Sequence, residues 1–262
     1  MDSKKGSLVV VGSGIKTVGH LTQEALAWIK GADKVLYVVT DPVAEGVIQR
    51  LNPEKAESLA VFYEEGKLRR ETYEKMVERM IECVHAGLRT CAVYYGHPGV
   101  FAYPTHTAIR RLRKQGYEAF MLPGISAEDC LFAELGVDPG SPGCQSYEAT
   151  TFVTAGFVPN PKAVLILWQV GVFGHMDYSR THYELREIPL FVEYLSRFYS
   201  PDHEVCVYES AIFPGCKPRA DWVPIRDLTK VQLTPASTLY VPASERPTPD
   251  LELCKRLGMA VR

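Results

Sequence analysis

Residues 90–130, TCAVYYGHPGVFAYPTHTAIRRLRKQGYEAFMLPGISAEDC, pass twice from an apolar run to a helical one through a glycine-proline corner. TCAVYYG ends at Gly96, Pro98 and Gly99, and the helix that follows has RRLRK in its final turns. EAFMLPG then ends at Pro123 and Gly124, and SAEDC opens the next helix. Glycine and proline sit where the chain must turn without a side chain in the way. Ser126 with Asp129 three residues on reads as an N-cap pair, and a helix start of this kind exposes amides suited to a carboxylate. Strand, helix and strand in this order predict right-handed crossovers, a parallel sheet and ligands beyond the carboxyl ends of its strands.

The same alternation extends toward the N-terminus. SLVVVGSG and KVLYVV read as strands and LTQEALAWIKGA as a helix. RETYEKMVERMIECVHAGL carries apolar residues at 73, 76, 77, 80, 81 and 84, the stripe of a helix lying on a core, and Gly87 ends it. After Pro123 the character changes. SAEDCLFAELG is helical, SPGCQ reads as a loop, AVLILWQVG, EVCVYES, DWVPIRDL and STLYVPA read as strands, and helices are expected near 187–200 and over PDLELCKRLG. The expectation is therefore an α/β fold of two lobes, 1–122 with a parallel sheet and 123–262 with a mixed sheet, and a cleft between them.

Composition limits the partners. The 262 residues are 46% apolar and 23% charged, with a formal net charge of −2 and a pI near 6.4. A binder of nucleic-acid phosphates usually carries a basic excess, so no nucleic-acid partner is expected. No apolar run reaches the length of a membrane span, so no membrane association is expected either. Seven scattered cysteines without metal-ligand spacing read as reduced thiols in a cytoplasmic protein that uses no metal.

Two glycine motifs differ in weight. VGSGIKTVG follows a strand, but its third glycine comes five residues after the second and Asp41 stands too far along, so it is not a dinucleotide fingerprint and a tight turn explains Gly12. In YYGHPGVF a strand delivers Tyr95, and the backbone around Val100 is free to approach a flat or extended ligand.

Taken in order, VGSGI, YGHPGVF, LPGISAEDC, LWQVG and STLYVP resemble the tetrapyrrole methylase superfamily, and over nearly the whole chain the resemblance is closest to the borosin peptide backbone N-methyltransferases. The more specific signs are GHPGVF with His97, MLPGISAEDCLFAELGVDPG, and FYEEGKLRRETYEKM at 62–76. The resemblance implies S-adenosylmethionine as methyl donor and S-adenosylhomocysteine as product. It implies that Tyr95, His97, Val100 and Phe101 border the donor, that Ser126 and Ala127 hold its amino-acid end, and that Gln169 bonds another polar edge. Tyr208, Ala211, Ser237 and Thr238 close the adenine side, although Ala211 also reads as packing and Thr238 as the start of a strand. Trp168 and Val170 are expected in the core.

Methylating a peptide amide is difficult because its nitrogen lone pair is delocalised into the carbonyl. Fixed donors around the amide oxygen would stabilise the charge that builds there as the proton leaves. Tyr63, Arg69, Tyr73 and Tyr95 are the expected catalytic group, with Arg69 lowering the pKa of Tyr63 so that its phenolate takes the amide proton. Arg69 and Tyr73, four apart at a helix start, can face the same way. Tyr73 equally reads as core, since it opens the apolar stripe of its helix. Fused relatives of the resembled family continue into a core peptide that they methylate themselves. The sequence here ends at Arg262, so the expectation is a homodimer acting repeatedly on a separate precursor peptide in trans. At Ala60 some of those relatives carry a further tyrosine. A tetrapyrrole C-methyltransferase, an RNA methyltransferase and a non-catalytic peptide-binding module are the alternatives.

Overall fold

The structure, a computed structural model, describes residues 5–180 and 183–259. It divides into two compact units: one comprises Met1–Val137, His175–His182 and Ser210–Arg219, the other Asp138–Gly174, Tyr183–Glu209 and Ala220–Arg262. The division thus falls beyond the change of character at Pro123. The helix after that proline stays with the first unit, where its Glu134 pairs with Lys16 at 3.0 Å, and two later segments return to the same unit.

In the first unit the chain runs β1 (Ser7–Gly12), α1 (Thr17–His20), α2 (Gln23–Gly31), β2 (Lys34–Val38), α3 (Pro42–Leu51), β3 (Ala56–Ser58), a 3-10 turn (Leu59–Phe62), α4 (Arg69–His85), β4 (Arg89–Tyr94), α5 (Tyr103–Lys114), β5 (Glu118–Met121) and α6 (Ala127–Leu135). The five strands form one sheet in the order β3-β2-β4-β1-β5, and the pairs β1–β4, β1–β5, β2–β3 and β2–β4 are parallel. Alternation along β1 sends Leu8 and Val10 into a core with Met76, Val77 and Met80 of α4, and Val9 and Val11 into a second core with Ala25 and Ile29 of α2. Both faces are covered, as a parallel sheet requires. From β1 the chain leaves across β4, and from β4 it leaves across β1, so the connections diverge at the carboxyl ends of these two central strands.

Basic residues close α5. Arg113 Nε donates to Ala119 O at 2.6 Å and Arg111 pairs with Glu74 at 2.8 Å, so these cations serve the helix end and its neighbours.

The second unit holds β6 (Cys144–Glu148), α7 (Ala149–Thr154), β7 (Val164–Trp168), a 3-10 turn (Val170–Val172), α8 (Ile188–Leu195), β8 (Glu204–Glu209), β9 (Arg219–Pro224), a second 3-10 turn (Ile225–Lys230), β10 (Thr238–Val241) and α9 (Leu251–Arg256). Its sheet, β6-β7-β10-β8-β9, is mixed: β6 runs parallel to β7, while β10 is antiparallel to β7 and β8. The stretch SPGCQ is a loop only as far as Gly143, because Cys144 and Gln145 pair with Val164 and Leu165 on the edge of the sheet. DWVPIRDL does not stay extended: Pro224, which lacks an amide donor, ends β9 and the chain tightens into the 3-10 turn. Among the described residues no helix is long and apolar enough to cross a membrane.

Candidate active site

Three corners meet at the carboxyl ends of β1, β4 and β5. A Cβ on Gly12 would stand 2.2 Å from Gly96 O and 3.2 Å from Gly124 Cα, so each corner approaches the next through a glycine. Gly14 and Gly96 exchange backbone hydrogen bonds of 3.2 and 3.1 Å, both with positive φ. Close packing of main chain accounts for the glycines of VGSG.

These corners carry the first group of expected donor-binding residues. Tyr95 N donates to Val38 O at 3.0 Å, which holds the residue just past β4. Burial, with Cys130 and Asp41 adding to it, pushes the Tyr95 phenol up to about 12, so it is a neutral donor near pH 7. His97 Nδ1 accepts from Gly99 N at 3.0 Å, which places the proton of the neutral ring on Nε2. Val100 and Phe101 are exposed, at 43% and 53%, and Phe101 holds φ at 49°, a left-handed conformation that a phenylalanine rarely adopts.

Ser126 caps α6 in a reciprocal box. Its Oγ accepts from Asp129 N at 3.1 Å, and Ser126 N donates to Asp129 Oδ2 at 2.7 Å. The box occupies the amides of residues 126 and 129, which leaves Ala127 at the open end of the helix. Ser126→Ala is expected to cost about 1 kcal/mol, read as a lower urea midpoint at unchanged slope. Ala211 is buried in the same unit, beside Ser210, whose Oγ donates to Glu134 Oε2 at 3.4 Å.

Gln169, Tyr208, Ser237 and Thr238 lie in the second unit. Gln169 has φ 60°, so two of the three non-glycine residues with positive φ among those described, Phe101 and Gln169, are expected donor-binding residues. Gly171 lies against the main chain of the 234–235 loop, where a Cβ would stand 1.7 Å from Thr234 O. In that loop Ser237 Oγ and Thr234 Oγ1 both donate to Glu209 Oε1, at 2.6 and 2.8 Å, and Ser237 Oγ accepts from Thr234 N at 2.8 Å. Tyr208 and Thr238 are directly opposed across β8 and β10, both buried. Trp168 and Val170 are buried as well.

Tyr63, Arg69 and Tyr73 come together. Tyr63 follows the first 3-10 turn, Arg69 is the first residue of α4, and Tyr73 stands one turn further on. Tyr73 lies close enough to Tyr63 to raise the pKa of its phenol. Tyr73 packs on the core below, as its place in the apolar stripe requires, and stacks on Tyr103 at 6.4 Å between centroids. Tyr103 in turn donates to Glu74 Oε1 at 2.5 Å and lies 5.1 Å beneath the Arg70 guanidinium. Tyr63 stacks on Tyr178 at 4.5 Å and lines a pocket of about 550 Å³ with Ser58, Ala60, Val61, Glu65 and Tyr178.

The expected Tyr63 phenolate is corrected by this environment. Burial raises the Tyr63 pKa most, Tyr73 and Tyr178 raise it further, and Arg69 pulls it down only as the smallest contribution. The guanidinium of Arg69 is turned toward the backbone and donates to His175 O. Tyr63 is therefore a protonated donor at neutral pH. Tyr95 stands apart, with Asp41 and Cys130 as its electrostatic neighbours. Tyr178, His175 and Glu209 escape a reading of the sequence: each meets partners at least 25 positions away and sits in no recognisable spacing.

Residues 7–211 match the family model of tetrapyrrole (corrin/porphyrin) methylases. The chain is 40% identical over 263 residues to a methyltransferase/ribosomally synthesized type I borosin cyclic peptide precursor of Serendipita vermifera subsp. bescii, covering 98% of this chain and 63% of that protein. To the methyltransferase/omphalotin A precursor of Omphalotus olearius it is 38% identical over 261 residues, covering 98% of this chain and 62% of that protein. It thus spans about three-fifths of the length of the curated relatives it matches. Among solved structures, the uroporphyrin-III-C-methyltransferase of Thermus thermophilus superposes with a TM-score of 0.65 at 18% identity, over 91% of this chain and 93% of that one. A cobalt precorrin-4 methyltransferase gives 0.65 at 15%, over 90% and 94%, a likeness of fold. With that match running from Ser7 at the start of β1 to Ala211, the chain belongs to the tetrapyrrole (corrin/porphyrin) methylase family.

Proposed function

We propose that the chain is an S-adenosylmethionine-dependent methyltransferase of borosin type, which N-methylates backbone amides of a ribosomal precursor peptide one after another. The convergence of Tyr63, Arg69 and Tyr73 at the start of α4 carries this reading. Tyr63 presents a protonated phenol. Arg69 presents a guanidinium at the positive end of a 17-residue helix. The dipole disfavours a cation there, and the carbonyl of His175 offsets it. Both the helix end and the guanidinium favour an oxygen that gains negative charge, as the acceptor amide oxygen does when its N–H proton leaves. Each such donor is typically worth about 3 kcal/mol.

The donor-side residues fit S-adenosylmethionine. Exposed apolar Val100 and Phe101 suit its uncharged parts, and the open amide of Ala127 beside Ser126 suits its carboxylate. Tyr95, His97 and Gln169 offer polar edges. Tyr208, Ala211, Ser237 and Thr238, with buried side chains, would meet it through backbone. When bound it supplies an electrophilic methyl group; the products are S-adenosylhomocysteine, the N-methylated amide and one proton. No metal has a part in the proposed reaction.

The relatives are named as methyltransferase and peptide precursor together, which supports a peptide acceptor. Supply of the precursor as a separate chain and a homodimeric enzyme complete the proposal. Incubation of the pure protein with S-adenosylmethionine and short peptides encoded beside its gene, followed by fragmentation, is expected to place methyl groups on backbone nitrogens. Methylation of side chains alone, or of a tetrapyrrole, would refute it.

A further inference from the structure

The proposed chemistry depends on where the Tyr63 hydroxyl stands, and the chain next to Tyr63 is tied to α4 on one side, where Glu64 pairs with Lys75 at 2.8 Å. The Tyr63 amide bonds locally to Ala60 O at 3.1 Å, and Phe62 O accepts from Thr72 Oγ1 at 3.2 Å. Leu68 gives α4 no side-chain cap. A further restraint comes from residues 175–180, which return to the first unit from far along the chain. They lie antiparallel to 65–69, with Leu68 opposite Asp177. Gly66 N donates to Tyr178 O at 2.9 Å, Tyr178 N to Lys67 O at 2.8 Å, and Arg69 N to Met176 O at 3.1 Å. Arg180 N donates to Glu65 Oε2 at 2.8 Å, and the Arg69 guanidinium to His175 O. A helix start without a side-chain cap thus finds its acceptor in a carbonyl of this strap.

Tyr178 is the strap residue whose ring meets the site. Its plane lies 29° from that of Tyr63, with centroids 4.5 Å apart. The backbone bonds on either side fix the Tyr178 main chain, and its ring lies stacked on that of Tyr63. Tyr63 thus has the Tyr178 ring stacked on it and Tyr73 as a further neighbour.

We propose that Tyr178 is a positioning residue for the reaction, its ring holding the Tyr63 phenol on the line toward the acceptor amide oxygen. A hydrogen-bond donor contributes to catalysis in proportion to how well it is placed before the charge develops. The ring and not the hydroxyl of Tyr178 does this. The inference rests on the reading of Tyr63 as a donor to the acceptor.

The test compares Tyr178→Phe, Tyr178→Leu and Tyr178→Met with Tyr63→Phe and the double variant Tyr63→Phe/Tyr178→Leu, all in the full chain with S-adenosylmethionine and an unmethylated peptide that the parent protein methylates. Tyr178→Phe is expected to keep kcat within about twofold, and Tyr178→Leu and Tyr178→Met to lower it about tenfold or more at unchanged KM for S-adenosylmethionine. The double variant is expected to be no slower than Tyr63→Phe alone, because a residue acting through Tyr63 has nothing left to position. Full kcat in both Tyr178→Leu and Tyr178→Met, an equal loss in Tyr178→Phe, or additive losses in the double variant would overturn the inference. If Tyr63→Phe itself kept full rate, the reading of Tyr63 would fall and this inference with it. A loss confined to Tyr63→Phe would remove the positioning claim alone.

Discussion

Arg69→Leu is expected to lower kcat by roughly 100- to 1,000-fold with KM for S-adenosylmethionine held within about threefold. The guanidinium is the permanent charge of the Tyr63–Tyr73 group, and it stands where the acceptor oxygen becomes negative in the proposed reaction. Its removal takes away an interaction made mainly in the transition state, so the loss belongs in kcat. The stability cost should be small, since Arg69 loses one side-chain bond to His175 O while its amide keeps Met176 O. Arg69→Lys keeps the charge but not the planar fork, which serves a carbonyl and a substrate oxygen together. It is expected to recover less than half of the lost activation free energy. Steady-state kinetics with both substrates varied, with circular dichroism as a check on folding, measures the effect. A kcat for Arg69→Leu within threefold of the parent would remove Arg69 from the chemistry.

Gly12→Ala carries the other large effect, and it acts on the fold. The added methyl would meet Gly96 O at 2.2 Å and Pro98 Cδ at 3.0 Å. These are main chain and a ring, which cannot swing aside, so the corners of β1 and β4 must separate. A destabilisation of about 3 kcal/mol is expected, read as a lower denaturant midpoint. Affinity for S-adenosylmethionine should fall at least tenfold in the same variant, because Tyr95, His97 and Phe101 ride on the displaced corner. Gly19→Ala provides the contrast within the same motif. A Cβ there meets nothing within 4 Å, and the residue lies in α1. It is expected to leave the midpoint unchanged or raise it by up to about 1 kcal/mol. Equal effects at Gly12 and Gly19 would refute the packing account.

The local parts of this molecule were legible from adjacent residues. The apolar stripe of α4 requires only a period of 3.6, and Met76, Val77, Met80 and Val84 are buried as that period predicts. The box at Ser126 and Asp129 spans three residues and forms as spelled. β6 was lost to its own composition. An edge strand of Cys, Gln, Ser, Tyr and Glu, entered through Gly-Ser-Pro-Gly, has no alternating apolar face, and only its partner β7 makes it a strand. The 3-10 turn after Pro224 likewise follows a run that reads as extended.

By itself the sequence determined the alternation of strands and helices, the parallel first sheet, the glycine corners and the side chains gathered at the start of α4, since each is written in neighbours or in a short period. Only the tertiary structure decided that residues 175–180 lie on 65–69, that Tyr178 covers Tyr63 and that Tyr63 keeps its proton. Those features join segments about a hundred positions apart, and a phenol's protonation depends on the burial and charges the fold collects around it, which no local pattern encodes.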